Sequence, residues 1–326
     1  MPSLKTIRKS VEADFAAYEK YLKQTLRSES DYLDSILDYL FMHRGKGLRP
    51  LLVLLVSALY RKDKPVGDST FTGAMVVEMV HTASLVHDDV VDEAYIRHGK
   101  PTINALWRSR YAVIAGDFIL ARCYSIALKS GQYELMGHIT GCIDKLCEGE
   151  IIQSRQSELL EMTRERYMEI IYKKTASLIS TCCTTGAMAA GATPKEVAAM
   201  KVYGDNLGLA FQIKDDILDY QGAKTGKPQC QDLRERKITL PLLTLLEAAE
   251  PSHRRELLAR LAQVRTRPEN VEYLRDAVID GGGVDMAAGV MESHLEAARL
   301  ALASLPDSEY RRALLDLTYF IGSRTE

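Results

Sequence analysis

The chain has 326 residues, 46% of them hydrophobic, and a formal net charge of −2. That length suits one large domain or two ordinary ones, with a substantial buried core. A near-neutral balance without a run of Lys and Arg excludes a nucleic-acid footprint.

Residues 1–10 are polar and show no apolar signal core. Gly45-Lys46-Gly47-Leu48-Arg49-Pro50 is a glycine-bearing loop with two cations. Alone it reads as a surface turn, although glycine permits close backbone approach and Lys and Arg suit phosphate oxygens. Leu51 to Tyr60 is the longest apolar stretch, too short to span a bilayer. Helical periodicity follows at 70–90, 109–129, 134–153, 164–190, 195–220, 252–264 and 284–304. Pro and Gly fall between these runs, and Thr193-Pro194 reads as a cap with proline at the first helical position. Period-2 stretches are absent, so strands are not expected. The fold class expected is all-α: about a dozen helices in a single domain over 1–326 around a central apolar cavity. The six cysteines form no CxxC pair. They read as reduced core residues of a cytoplasmic protein.

Two runs carry aspartate clusters of the form DDxxD: Asp88-Asp89-Val90-Val91-Asp92 and Asp215-Asp216-Ile217-Leu218-Asp219. Residues i and i+4 share a helix face, so Asp88 and Asp92 point together, as do Asp215 and Asp219. One such motif is ordinarily a solvated face. Two of them inside apolar helices are costly unless a cation neutralises them. Facing each other, they would form an oxygen-rich cage for a hard divalent ion such as Mg2+. His81 lies two turns before Asp88 on the same face. Alone it would be a core histidine; beside the carboxylates it reads as a diphosphate contact. Two further basic patches are Arg97, His98 and Lys100, and Lys173-Lys174-Thr175. Carboxylates for metals, cations for two anionic groups and an apolar chamber behind describe a site for two diphosphate-bearing lipids.

The motifs GKGLRP, HTASLVHDDVVDE, KPT, GDF, EGEIIQ, KKTASL, FQIKDDILD and KITLPLL together resemble the trans-isoprenyl diphosphate synthase family, in particular its long-chain polyprenyl members. The likeness runs from about Gly45 to Leu243. It implies an all-α barrel of antiparallel helices, a homodimer, and three Mg2+ per substrate-loaded site. Carried over by position, Asp88 and Asp92 would bind magnesium with Asp89 in support. Asp215 would hold the third ion, with Asp216 and Asp219 in its network. Lys46, Arg49 and His81 would hold isopentenyl diphosphate. Arg97, Lys174, Thr175, Gln212 and Lys227 would contact the allylic substrate. Two departures stand out. The family usually has a second arginine, a contact to isopentenyl diphosphate, where this chain would offer His98, and a glycine where it has Cys230.

The implied reaction is head-to-tail condensation of isopentenyl diphosphate onto an allylic diphosphate. No protein nucleophile is needed, since the released pyrophosphate can take the proton. Ala83 and Ser84 are small where short-chain members carry an aromatic residue, and no insertion interrupts DDVVD. Both features imply a long product, of the kind used for quinone side chains, with the tunnel closed deeper, at Val80, Ala127, Ile139 or Ile143. The alternatives are a farnesyl or geranylgeranyl diphosphate synthase and a chain-length-controlling subunit of a heteromer. A terpene cyclase would lack the second diphosphate site, and a di-iron bundle would need Glu-x-x-His pairs. Contact with a membrane is expected to be at most peripheral, for product release.

Overall fold

The computed structural model describes residues 2–61, 64–97, 99–221 and 230–325. The chain begins with α1 (Leu4–Arg8), α2 (Glu12–Thr25), α3 (Asp31–Met42) and α4 (Leu48–Tyr60). Next come α5 (Asp68–Val91), α6 (Ile103–Trp107), α7 (Ser109–Lys129) and α8 (Tyr133–Leu159). The central part continues with α9 (Arg164–Ile171), a π-helical turn (Tyr172–Ala176), α10 (Ser177–Ala189) and α11 (Pro194–Gln221). The remainder comprises α12 (Gln231–Arg234), α13 (Leu240–Ala248), α14 (Pro251–Ala262), α15 (Glu269–Asp280), α16 (Gly283–Ala301) and α17 (Glu309–Ser323). The all-α expectation holds with one small exception. Ile96–Arg97 (β1) pairs antiparallel with Lys100–Pro101 (β2). Gly99, at φ +72°, supplies the left-handed turn that closes the pair.

Burial sorts the helices into an inner and an outer set. Pro50 to Ala58 of α4 and Ser177 to Ala187 of α10 are buried without interruption. Such helices have no solvent-facing side because neighbours cover them all round. Each fully buried Leu or Val contributes about 1.5–3 kcal/mol of transfer free energy. Local signals set the helix starts. Thr193 Oγ1 accepts from the Glu196 amide while the Glu196 carboxylate accepts from the Thr193 amide at 2.7 Å. This capping box starts α11 at Pro194, as the sequence implied.

Glycines set the closest approaches. A Cβ at Gly208 would sit 2.5 Å from Ala176 Cα, and one at Gly204 would sit 2.6 Å from Ser180 Cα. The missing side chains let α11 lie against the π turn and α10, which brings Gln212, one turn on, beside Thr175. On the other flank, a Cβ at Gly149 would meet Lys173 Cβ at 2.9 Å and Lys174 N at 3.1 Å. Glu148 and Glu150 flank that glycine and pair with Lys173 and Lys174. Five of the six cysteines are buried and all are free; Cys147 is exposed.

Candidate active site

The first aspartate motif ends α5, and its three carboxylates differ. Asp89 is buried; its Oδ1 accepts from Arg97 Nε at 2.8 Å, and its carbonyl accepts from the Asn104 amide at 3.2 Å. Asp92 is exposed at the helix end and Asp88 is half-buried. Burial pushes the Asp88 carboxyl up to about 6; Lys174 opposes the shift, and Glu150 and Asp92 add to it. The hairpin β1–β2 therefore serves the site by swinging Arg97 back onto Asp89.

The second motif ends α11 and repeats the division of labour. Asp216 is buried, and both its oxygens are occupied: Tyr167 Oη donates to Oδ2 at 2.6 Å and Gln212 Nε2 to Oδ1 at 2.9 Å. Asp219 accepts from the amides of Gln231 and Asp232 at 3.0 and 3.1 Å, so it caps α12. Asp215 is the more open carboxylate, paired with Arg324 at 2.5 Å. That arginine also donates to the Phe211 carbonyl at 2.9 Å and lies over the Phe211 ring.

Among the described residues, no three His, Cys, Asp or Glu side chains converge on one metal-binding point. The donors fit a hard divalent ion nonetheless. Asp88 with Asp92, and Asp215, offer carboxylate oxygens, and Asp215 already pairs with the Arg324 guanidinium. Such sparse sets suit Mg2+, which keeps waters and takes its remaining ligands from substrate phosphates. Asp89 and Asp216 have carboxylate oxygens committed to Arg97, Tyr167 and Gln212, which sets them apart from Asp88, Asp92 and Asp215.

On the facing side, Gly47 adopts φ +67° and opens α4, presenting Arg49 in its first turn. Arg49 Nε is buried without a hydrogen-bond partner, as is Arg44 Nε. Orphaned guanidinium donors of this kind are what an incoming anion would satisfy. Lys46 is exposed. Burial, with Arg49 and Arg97 adding, holds the His81 pKa well below its ordinary value, so the ring is neutral near pH 7. Glu78, one turn earlier, is buried, and Arg49 and Arg44 offset part of the burial that raises its pKa.

Lys174 joins the two halves. It pairs with Glu150, its charge acts on Asp88, and it lines a cavity of about 160 Å³ with Tyr167, Thr175, Gln212, Asp216 and Lys237. Thr175 Oγ1 donates to Gln212 Oε1 at 2.7 Å. Lys237 pairs with Glu235. Burial works against its charge, but Glu235, Asp232 and Asp92 outweigh burial and hold its pKa above the ordinary value. His98 and Lys227 lie outside the described residues. Cys230 sits at φ 56°, a left-handed conformation that favours glycine, and its amide donates to the Asp219 carbonyl. Ala83 is fully buried, and Ser84 is half-buried with its hydroxyl on the His81 carbonyl.

Sequence reasoning did not single out Glu150, Tyr167, Lys237, Arg44 or Arg324. The pair of glutamates flanking Gly149 was a usable signal for Glu150. Arg324 and Tyr167 meet their aspartates 109 and 49 positions away, and no local pattern marks such pairs.

A family model described as polyprenyl synthetase matches residues 30–278. The short chain isoprenyl diphosphate synthase of Methanothermobacter thermautotrophicus is 34% identical over 296 residues, 88% of this chain and 89% of that one. The octaprenyl diphosphate synthase of Escherichia coli is 31% identical, with 99% of each chain covered. A polyprenyl synthase from Caulobacter crescentus, solved with calcium and isoprenyl diphosphate, superposes with a TM-score of 0.92 at 32% identity, covering 99% of this chain and 98% of that one. The matched span holds both aspartate motifs, the cations facing them and the Lys174–Thr175 turn, and on that ground the chain belongs to the polyprenyl synthetase family and is a prenyltransferase.

Proposed function

We propose that the chain is an all-trans polyprenyl diphosphate synthase that adds isopentenyl diphosphate units to an allylic diphosphate and releases a long-chain product. The observation that carries this reading is the juxtaposition of two outward carboxylate sets with two separate groups of cations. Arg49 with its unpaired Nε, Lys46 and neutral His81 suit one diphosphate; Arg97 and Lys174 suit the other. The long relatives and the small residues Ala83 and Ser84 support a long product over a farnesyl or geranylgeranyl one.

In this reading Asp88, Asp92 and Asp215 would hold Mg2+, three ions in the loaded site. Bound there, magnesium supplies charge that stabilises the departing pyrophosphate. Arg97, fixed by Asp89, and Lys174, released from Glu150, orient the allylic diphosphate. The allylic C–O bond breaks and its electron pair leaves with pyrophosphate. Thr175 and Gln212 face the resulting cation with oxygen lone pairs. The double bond of isopentenyl diphosphate, held by Lys46, Arg49 and His81, forms the new C–C bond, and pyrophosphate accepts the proton that is lost.

A homodimer is part of the same proposal. Only 33% of an 18-residue apolar window of α7 is buried within the chain, and Val113, Ile114 and Leu128 are exposed along the helix. A second copy would cover that stripe.

The test is substrate dependence. Pyrophosphate release should require both an allylic diphosphate and isopentenyl diphosphate, with Mg2+. Release from the allylic substrate alone, with a cyclic hydrocarbon as product, would replace this reading with that of a cyclase.

A further inference from the structure

Tyr167 Oη, Asp216, Gln212 and Thr175 form one continuous hydrogen-bonded chain: Oη donates to Asp216 Oδ2, Gln212 Nε2 to Asp216 Oδ1, and Thr175 Oγ1 to Gln212 Oε1. Tyr167 and Asp216 are each 3% exposed. Direction is fixed at the buried end. Asp216 takes the Tyr167 proton on one oxygen and the Gln212 NH2 on the other. The Gln212 carbonyl oxygen must then face away from Asp216, and it accepts the single proton of Thr175. With that proton spent, both lone pairs of Thr175 Oγ1 are left for the cavity. The π turn Tyr172–Ala176 carries Thr175, and a π turn inside a helix is a common device for displacing a functional side chain from its register.

We propose that Tyr167 is a positioning residue for the prenyl transfer: through Asp216 it locks the amide of Gln212 and the hydroxyl of Thr175 in the polarity that favours a positive charge at the allylic carbon. This rests on the prenyltransferase reading of the same site. Asp216 then acts as the polarity-setting acceptor and not as a metal ligand. A fixed dipole aimed at developing charge needs no reorganisation when the bond breaks, whereas a free amide could turn its NH2 toward the cation.

Tyr167→Phe keeps the ring and removes one donor. Two measurements test it. In steady-state turnover, kcat should fall about tenfold or more, the size of losing a buried hydrogen bond. The KM values for both substrates and the half-saturating Mg2+ concentration should change less than about threefold, under a kilocalorie. In equilibrium binding, an ammonium analogue of the allylic cation, presented with inorganic pyrophosphate, should bind the variant about tenfold more weakly, while the uncharged thiolo analogue of farnesyl diphosphate binds as before. A variant with unchanged kcat and unchanged preference between the analogues overturns the proposal. So does a loss matched by a rise in the Mg2+ requirement, which would make Asp216 part of the metal site. Failure of the wild-type protein to bind either analogue would instead overturn the prenyltransferase reading beneath it.

Discussion

Arg97 Nε sits 2.8 Å from Asp89 Oδ1, across the turn that follows α5. The corresponding carboxylate of the second motif, Asp216, holds Gln212 at 2.9 Å. In each motif the middle aspartate is buried and clamps a neighbour assigned to the allylic substrate, while the first aspartate is less buried, and Asp215 pairs with Arg324. The five-residue pattern thus contains two kinds of carboxylate, and burial separates them. Asp89→Asn should leave the fold intact and raise the KM for the allylic substrate about tenfold through loss of a charge-assisted bond to Arg97. Steady-state kinetics with isopentenyl diphosphate saturating reads this; an unchanged KM would place Arg97 away from the allylic diphosphate.

The less buried carboxylates should behave differently. Asp88→Ala and Asp215→Ala are each expected to reduce condensation by more than tenfold, over about 1.4 kcal/mol in barrier, with circular dichroism unchanged. Asp215→Ala also leaves the Arg324 guanidinium without its carboxylate, so its melting temperature should fall more than that of Asp88→Ala. Retained turnover in either variant would remove that carboxylate from the metal site.

His81 carries a prediction about pH. Burial, Arg49 and Arg97 lower its pKa, so the ring charges only well below its ordinary range. The sign follows: a histidine held neutral in the folded state disfavours folding only where the unfolded chain would protonate it, below about pH 6.5. Near neutral pH it can only act as an uncharged donor. His81→Gln should therefore keep the KM for isopentenyl diphosphate within about threefold between pH 6.5 and 8, whereas His81→Ala should raise it about tenfold. A wild-type KM that falls as pH drops from 8 to 6.5, with the glutamine variant flat, would show a charged ring.

Gly208 has no room for a side chain beside Ala176. Gly208→Ala should force α11 away from the π turn, lower stability by about 1–3 kcal/mol and slow turnover by disturbing the Thr175–Gln212 bond. Thermal unfolding alongside kcat checks both parts; a wild-type melting temperature would mean the helices separate without cost.

Chain length should respond to α5. Ser84 lies one turn before Asp88 on its face, and Ala83 is packed into the core. Ser84→Phe and Ala83→Tyr are expected to shorten the product to farnesyl or geranylgeranyl length while sparing the first condensation, with Ala83→Tyr costing about 1–3 kcal/mol of overpacking. Products are read by mass spectrometry; wild-type length from both active variants would route the growing chain elsewhere.

What the sequence revealed and what it concealed follow from range. Asp88 and Asp92 stand one helical turn apart at the end of α5, and helical spacing alone places them; Lys46 and Arg49 are close in sequence, one in the loop and one in the first turn of α4. Asp89 and Asp216 look identical to their neighbours in the sequence; their separate role appears only when Arg97, Tyr167 and Gln212 are seen to occupy them. Arg324 reaches Asp215 because α17 packs against both α4 and α11, a tertiary fact with no periodic signal. The hairpin at Ile96–Arg97 is two residues per strand, too short for a period of two to register. Cys230 was visible as an oddity where glycine is usual, and its left-handed φ gives the physical reason glycine is favoured there.

The central claim is settled most directly by incubating the purified protein with Mg2+, farnesyl diphosphate and excess isopentenyl diphosphate, and weighing the products. The account predicts a series of all-trans diphosphates rising in isoprene steps and ending beyond geranylgeranyl diphosphate. A series that stops at geranylgeranyl diphosphate would contradict the long-chain assignment, and unconsumed isopentenyl diphosphate would contradict the synthase itself.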